Sequence, residues 1–450
     1  MRNPLAILAV AVLSGCAAYH AKPLRGPALA ALQGPTRKAL VRAAHTLRVQ
    51  GLPPLDLDFQ KPLTGKELGV IAVIANPALR ALRARERVAH AQVFAAGLLP
   101  DPVIQFSALK PYGLGASGRT AALSDGFLWD LSRLVTQGTD VRMAREQAAA
   151  VRFAVAWHEW IAANAARLGT RRVYWLHNEW RIARTAQHLW AGHESLLARD
   201  VHQGLLARRR LLYVQAAQDR LRMTATALHR ALVQARLALN RELGLAPQTR
   251  LPLAHPGPLP VITAPPAVLF HRALARRLDL VALVAAYHSA DAALLRAILD
   301  QYPRLSLGLA GARNSSGVSE AGIQLSLVVP LFNANRGAVA IARARRAELF
   351  RRYVARLASA RSQIYALHAR VASLDREIQR LKGRRALLRR AARAARLSYV
   401  AHALGLVSYM TLTQSLLSAQ LRISALHLAR DSAVLALDAA VARPWSGARS

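Results

Sequence analysis

Three stretches of this 450-residue chain have residue types and spacings that could support chemistry. "GLGASG", Gly113 to Gly118, fits G-x-G-x-x-G and follows a predicted strand, as a phosphate-cradling loop should. No helix opens directly after it and no βαβ unit surrounds it, so its glycines belong to a loop. "WHEW" sets His158 beside Glu159, but the second histidine of an H-E-x-x-H zinc site would have to stand where Ala162 is. The other histidines are scattered, and no Ser, His and Asp order suggests a triad. No catalytic residue, cofactor or metal site is assigned, and an enzyme is not expected. The third stretch ends at Cys16, the only cysteine, which rules out a disulfide or a Cys-based metal cluster within one chain. Before it come Arg2, an apolar run from Leu5 to Leu13 too short to span a bilayer, and the small residues of "LSGC".

That setting resembles a bacterial lipobox. The resemblance implies a signal peptide over 1–15, cleavage before Cys16, acylation of its thiol and amino group, and export. Ala17, where an aspartate would retain the protein, favours the outer membrane. The formal charge is +38 and is carried almost wholly by arginine, since lysine occurs only at Lys22, Lys38, Lys61, Lys66, Lys110 and Lys382. Such an excess ordinarily suggests nucleic acid. An exported lipoprotein does not meet cytoplasmic nucleic acid, and the arginines are dispersed through "RARRAELFRRYVAR" and "RRALLRRAARAAR" with few interleaved aromatics. Solvated helix faces are the plain explanation; an acidic exterior or attraction to anionic lipopolysaccharide is the sharper one.

The positioning elements are stated twice, about two hundred residues apart, which is the mark of an internal repeat. Leu79 answers to Leu280, Pro102 to Pro303 and Gly204 to Gly405 at one offset, and Gly126 answers to Gly322 at an offset shorter by a loop difference. In the first copy an amphipathic helix is expected from about Thr64 to Leu98, carrying Leu68, Ile71, Ile74, Leu79, Leu82 and Val88 and stopped by Gly97 and Pro100. "VIQFSAL" and "GFLWDLS" alternate as a hairpin, with Ile104, Phe106, Phe127, Trp129 and Leu131 on apolar faces. In the second copy Leu305, Leu307, Leu309, Ile323, Leu325 and Leu327 oppose Ser306, Gly308, Gln324 and Ser326. A buried sandwich strand shows that pattern, and so does a membrane barrel. Four strands cannot close a barrel alone, and open edges are not tolerated in lipid, so a barrel needs several chains.

Each hairpin feeds a proline-free helix, over about Thr139 to His202 and Asn335 to His402, reaching on the order of 100 Å at 1.5 Å per residue. After Gly204 or Gly405 a return helix runs to Leu243 or Ala440. Trp157, Trp160, Trp175, Trp180 and Trp190 are expected to pack between helices, and Trp129 is the better candidate for a bilayer interface. The organisation is a signal peptide (1–15), a lipidated tether and extended segment (16–63), a first repeat (64–246), a Pro-rich crossing (247–266), a second repeat (267–440) and a tail (441–450).

"NPALRALRARERVAHAQVFAAGLLPDPVIQFS", "GIQLSLVVPLFNANRGAVAIARARRAEL", and the tip segments "GLLARRRLLYVQA" and "GLVSYMTLTQSLLSAQ" are similar to the TolC-like outer-membrane efflux proteins, in particular lipoprotein channels of heavy-metal and drug tripartite pumps. The resemblance implies a mainly α fold with a small β part. Duplicated long helical hairpins would form a periplasmic α-barrel, and four strands per chain would complete a 12-stranded β-barrel in a homotrimer. The most specific piece is the strand-to-helix motif with Pro330, Leu331, Phe332, Asn333, Arg336 and Gly337. The tips, Gly204, Leu205, Leu206 and Ala207 with Gly405, Leu406, Val407 and Ser408, resemble docking places for a periplasmic adaptor (membrane fusion) protein; a plain αα-hairpin turn also explains one such tip. The glycines would let the chain reverse tightly, with Leu205 or Leu406 offering the apolar contact. Two departures stand out. Acidic residues often found six and nine positions after the second tip glycine are here Thr411 and Gln414, so an aperture there would lack a carboxylate ring. Leu134 stands where the second copy has Pro330, which predicts a less sharply kinked first junction.

The function implied is a passive outer-membrane duct serving an adaptor and an inner-membrane pump of the proton-driven resistance-nodulation-division type, moving small toxic solutes or metal ions outward. The alternative is a lipid-anchored periplasmic helical scaffold without a pore, which leaves the two hairpins unexplained.

Overall fold

A computed structural model describes residues 19–49, 51–112 and 120–445, without the side chain of Ala30; Cys16 and the loop glycines of "GLGASG" lie outside the described residues. The elements in order are α1 (Arg25–Ala31), α2 (Arg37–His45), α3 (Gly65–Ala75), α4 (Pro77–Ala96), β1 (Val103–Leu109), β2 (Ala122–Asp130), α5 (Ser132–His202), α6 (Arg208–Glu242), α7 (Pro266–Arg276), α8 (Leu278–Leu299), β3 (Arg304–Arg313), β4 (Ser319–Val328), α9 (Arg336–Val400) and α10 (Leu406–Val441). From α3 onward the order helix, helix, strand, strand, long helix, return helix occurs twice. The four strands form one antiparallel sheet in sequence order.

Several expectations are corrected. The single helix over 64–98 is two. Thr64 opens α3 with a capping box, its hydroxyl accepting from Glu67 N while Glu67 Oε2 accepts from Thr64 N. Pro77 cannot donate a helical hydrogen bond to that helix, and Asn76 caps α4 through Ala78 N and Leu79 N while its amide donates to Glu242 O. The first long helix begins at Ser132, not Thr139, and runs 71 residues.

The segment 16–63 is not extended throughout. Within it α1 and α2 are helical, and Leu40, Ala44, Leu52, Leu57 and Leu63 are buried with Leu68, Ile71, Trp157, Trp160, Leu232 and Leu239 in the largest core. That core ties α2, α3, α5 and α6 together, and Trp445 closes it from the chain's other end. The Pro-rich crossing is pinned to it by a short parallel bridge, with Leu63 N donating to Pro252 O and Ala254 N to Leu63 O.

The second hairpin pairs α9 with α10. Ile364, Val371 and Ile378 are buried seven residues apart, the repeat that keeps one seam of a helix facing its partner. By length and composition α8 could cross a bilayer, but its apolar side packs against α5 and α9.

Candidate functional site

The first candidate surface is the sheet. Its register runs apolar residues across all four strands, with Ile104 opposite Phe127, Phe127 opposite Leu309 and Leu309 opposite Ile323. Trp129, Leu307 and Leu325 follow in the next row of the same face. Side chains alternate along a strand. The other face therefore carries Gln105, Gly126, Ala310 and Gly322 in one row and Leu128, Gly308 and Gln324 in another. At Gly308 a Cβ would run into the Phe127 carbonyl oxygen, so close strand approach requires glycine.

The apolar face is bare, with Phe106 81% and Ile323 79% exposed, and β1 and β4 each leave one edge unpaired. In water such a surface is a template for aggregation. Trp129 Nε1 donates to Pro100 O at the base of the sheet.

The two strand-to-helix junctions differ. Leu131 alone joins β2 to α5, and its N–H donates to Leu305 O. Residues 329–335 join β4 to α9, with Leu331 and Phe332 exposed and Ala334 and Asn335 in the left-handed region at φ 43 and 51. Asn333 Oδ1 accepts from Asn335 N, Arg336 N donates to Asn333 O, and Asn335 Nδ2 donates to Ala297 O, so the turn is fastened to α8. Pro330 stands before this turn, while Arg336 and Gly337 open α9 on its exposed side.

At the far end the tip loops are 203–207 and 401–405. In the first, Gly204 takes φ +73 and Leu205 N reaches back to Asp200 O at 2.9 Å, a Schellman closure. In the second, His402 takes the left-handed position at φ 58, and Ala403 N reaches Ser398 O at 2.8 Å. Gly405 is extended, at φ −68 and ψ 148, and opens α10. The expected role of Gly405 in the reversal is thus corrected: Gly204 corresponds in function to His402.

The leucines divide differently as well. Leu206 and Leu406 pack inward on the cluster of Trp190, Leu197, Val214 and Met410, whereas Leu205 and Val407 point outward. Ala207 and Ser408 are exposed beside them. Thr411 is exposed with its hydroxyl on Val407 O, and Gln414 is half-buried one turn further on.

Polar networks hold the helices in register between the two ends. Asp431 accepts from Arg171 Nη1 at 2.7 Å and Trp175 Nε1 at 2.9 Å, and Trp175 stacks on His427 with centroids 5.0 Å apart. His193 sits among Trp190, Tyr399 and Tyr409, joining α5 to both helices of the second hairpin. Trp157, Trp160 and Trp190 are buried, in keeping with packing between helices. Glu159, beside His158, pairs with Arg83; burial pushes its carboxyl up despite that cation. At the start of α8, Asp279 pairs with Arg277 and Arg356. Burial alone would raise its carboxyl, but the hydrogen bonds and charges of the two guanidiniums outweigh it and hold it below the usual carboxylate range.

Sequence reasoning missed these carboxylates. One signal was available: Asp431 and Asp438 are the only acids of α10, a largely apolar helix whose only basic side chains of fixed charge are Arg422 and Arg430, and acids in such a setting imply buried partners. Among the described residues no group of three or more His, Cys, Asp or Glu could hold a metal ion.

Glu179 is buried on α5, and its Oε1 has no hydrogen-bond partner. Burial pushes this carboxyl up, partly offset by Ser424. A raised folded-state value means that stability is complete below the ordinary carboxylate range and is lost as pH rises through the elevated value. Glu179→Gln is therefore expected to stabilise the protein by about 1 kcal/mol at neutral pH. The gain should be present in thermal midpoints at about pH 8 and absent at about pH 4.

No protein-family profile matches the sequence, and no curated protein matches it. Solved structures do. The chain is similar to CusC, whose structures concern folding and transmembrane channel formation, at 18% identity over 88% of this chain and 96% of that one, with a TM-score of 0.71. It is similar to the Campylobacter jejuni CmeC outer membrane channel at 14% identity over 86% and 87%, with a TM-score of 0.74. It is also similar to the open state of the Neisseria gonorrhoeae MtrE outer membrane channel at 17% identity over 84% and 88%, with a TM-score of 0.69. At these identities the likeness is one of fold, and it extends over most of every chain compared.

Proposed function

We propose, from the premise that this chain has the fold of the TolC-like outer-membrane channels, that it is the outer-membrane duct of a tripartite efflux system. It passively conducts small toxic solutes or metal ions from a pump and adaptor to the exterior. The observation that carries this is the four-stranded sheet, apolar on one bare face and open at both edges, mounted on helices on the order of 100 Å long. Lipid satisfies the face. Pairing β4 of one copy with β1 of the next satisfies the edges, and three copies give a closed 12-stranded barrel.

The repeats at 64–246 and 267–440 supply each copy's two helical hairpins, and the acylated Cys16 anchors the chain to the same membrane. Energy comes from an inner-membrane pump of the proton-driven resistance-nodulation-division type. The native mass of the lipidated protein extracted from outer membranes in mild detergent tests this. A stable trimer is expected. A monomer released from the membrane once Cys16 is replaced would instead establish the pore-free scaffold.

The adaptor docks at the tips, where Leu205 and Val407 are the outward apolar side chains. Leu205→Asp combined with Val407→Asp is expected to abolish solute resistance while leaving trimer mass unchanged. Undiminished resistance in cells that depend on this protein would remove the tips from the interface.

A further inference from the structure

We infer that the duct is anion-selective and that its cargo is small anionic solutes, bearing carboxylate, phosphate, sulfate or oxyanion groups; this rests on the channel function proposed above. The positive charge is concentrated on one element. Helix α9 carries eighteen Lys and Arg against three acids, Glu348, Asp375 and Glu377. Those acids are already paired, with Arg352, Arg430 and Arg422. Beyond them Lys382, Arg384, Arg385, Arg389, Arg390, Arg393 and Arg396 are all exposed, and none forms an ion pair among the described residues.

Lys382, Arg385, Arg389, Arg393 and Arg396 recur at spacings of three and four, so they share one stripe of the helix. The stripe is about 21 Å long and ends beside the second tip. Like charges at this spacing destabilise a helix unless counter-ions are drawn to them. No carboxylate relieves them locally, because there is no Asp or Glu between Glu377 and Asp431, a segment that includes the whole second tip with Thr411 and Gln414.

Association of copies cannot neutralise the excess as a whole, since each copy brings the same net +38. The water on either side of the helix wall, the aqueous path included, supplies the counter-ions. A wall one helix thick is about 10 Å across, comparable to the screening length of about 8 Å at physiological salt, so cations on either side of α9 bias the lumen. A low-dielectric wall of one sign concentrates the opposite ion, and Lys- and Arg-lined pores pass anions. A metal would fit such a path as an oxyanion or an anionic complex, not as a free cation.

The test is the reversal potential of the full-length trimer in a planar bilayer under a potassium chloride gradient at low ionic strength. Chloride is expected to permeate over potassium on the order of tenfold. Arg385→Gln, Arg389→Gln and Arg393→Gln together should bring the ratio toward unity; the positions are exposed and Gln is a comparable helix former. Should the triple variant fail to assemble, Arg389→Gln alone should shift the ratio the same way. Ohmic current without anion preference, or a preference untouched by these changes, would leave the duct standing and overturn the anion assignment. An intact trimer that passes no current would overturn the duct and, with it, this inference.

Discussion

Ile323→Arg is expected to abolish assembly of the proposed barrel, whereas Gln324→Arg, one residue away, is expected to leave assembly intact. Ile323 lies midway along β4 on the apolar face, opposite Leu309, and is almost fully exposed. If that face meets lipid, an arginine near the bilayer midplane costs about 2 to 4 kcal/mol per copy, and the proposed trimer would bear it three times. That is a large part of the stability of an ordinary domain. Gln324 opposes Gly308 on the other face, where in the proposed barrel an added cation would meet water and alter only the lumen charge. The measurement is the fraction of protein recovered from outer membranes as a heat-resistant trimer on semi-native gels. Equal recovery of both variants would mean that the apolar face does not touch lipid, and the barrel would have to be given up.

Asp279→Ala is expected to be the most damaging single change outside the sheet. Arg277, the residue between α7 and α8, is 1% exposed; it donates to both carboxylate oxygens of Asp279 and to Ala440 O, and its guanidinium lies 4.8 Å from the Trp157 ring centroid. Arg356 of α9 reaches the same carboxylate. One acid thus neutralises two cations where α5, α7, α8, α9 and α10 converge. Its removal leaves a buried guanidinium uncompensated, at about 3 to 5 kcal/mol.

The pH dependence has a definite sign. Because the folded-state carboxyl is held low, its stabilisation is full above the ordinary carboxylate range and is lost as pH falls through the lowered value. Denaturant midpoints followed by helical circular dichroism should separate wild type from Asp279→Ala widely at neutral pH and converge in strong acid. Midpoints that coincide at neutral pH would mean that the network contributes nothing.

The sequence by itself determined the two strand pairs, the long helices with their return helices, and the duplication of that order. These follow from local rules: period-two alternation in "RLSLGLA" and "GIQLSLVV", absence of proline across both long helices, and turn residues at the tips. The start at Thr64 was legible, and the stop at Pro77 was equally local, yet the apolar run from Leu68 to Leu82 continued through that proline and concealed the break. Only the tertiary structure decided the rest. It drew the segment before Thr64 into the first core, because Leu40, Leu52 and Leu57 find partners hundreds of residues away or across α3 and α5. At the tips it moved the reversal from Gly405 to His402, because the position of a left-handed residue depends on where α9 ends, not on which residue is glycine. It also turned Leu206 and Leu406 inward and left Leu205 and Val407 outside, since exposure at a turn is set by the facing helices. The distant partners of the buried carboxylates, Arg356 for Asp279 and Arg171 for Asp431, were invisible for the same reason: they come from elements that only the folded chain brings within hydrogen-bonding distance.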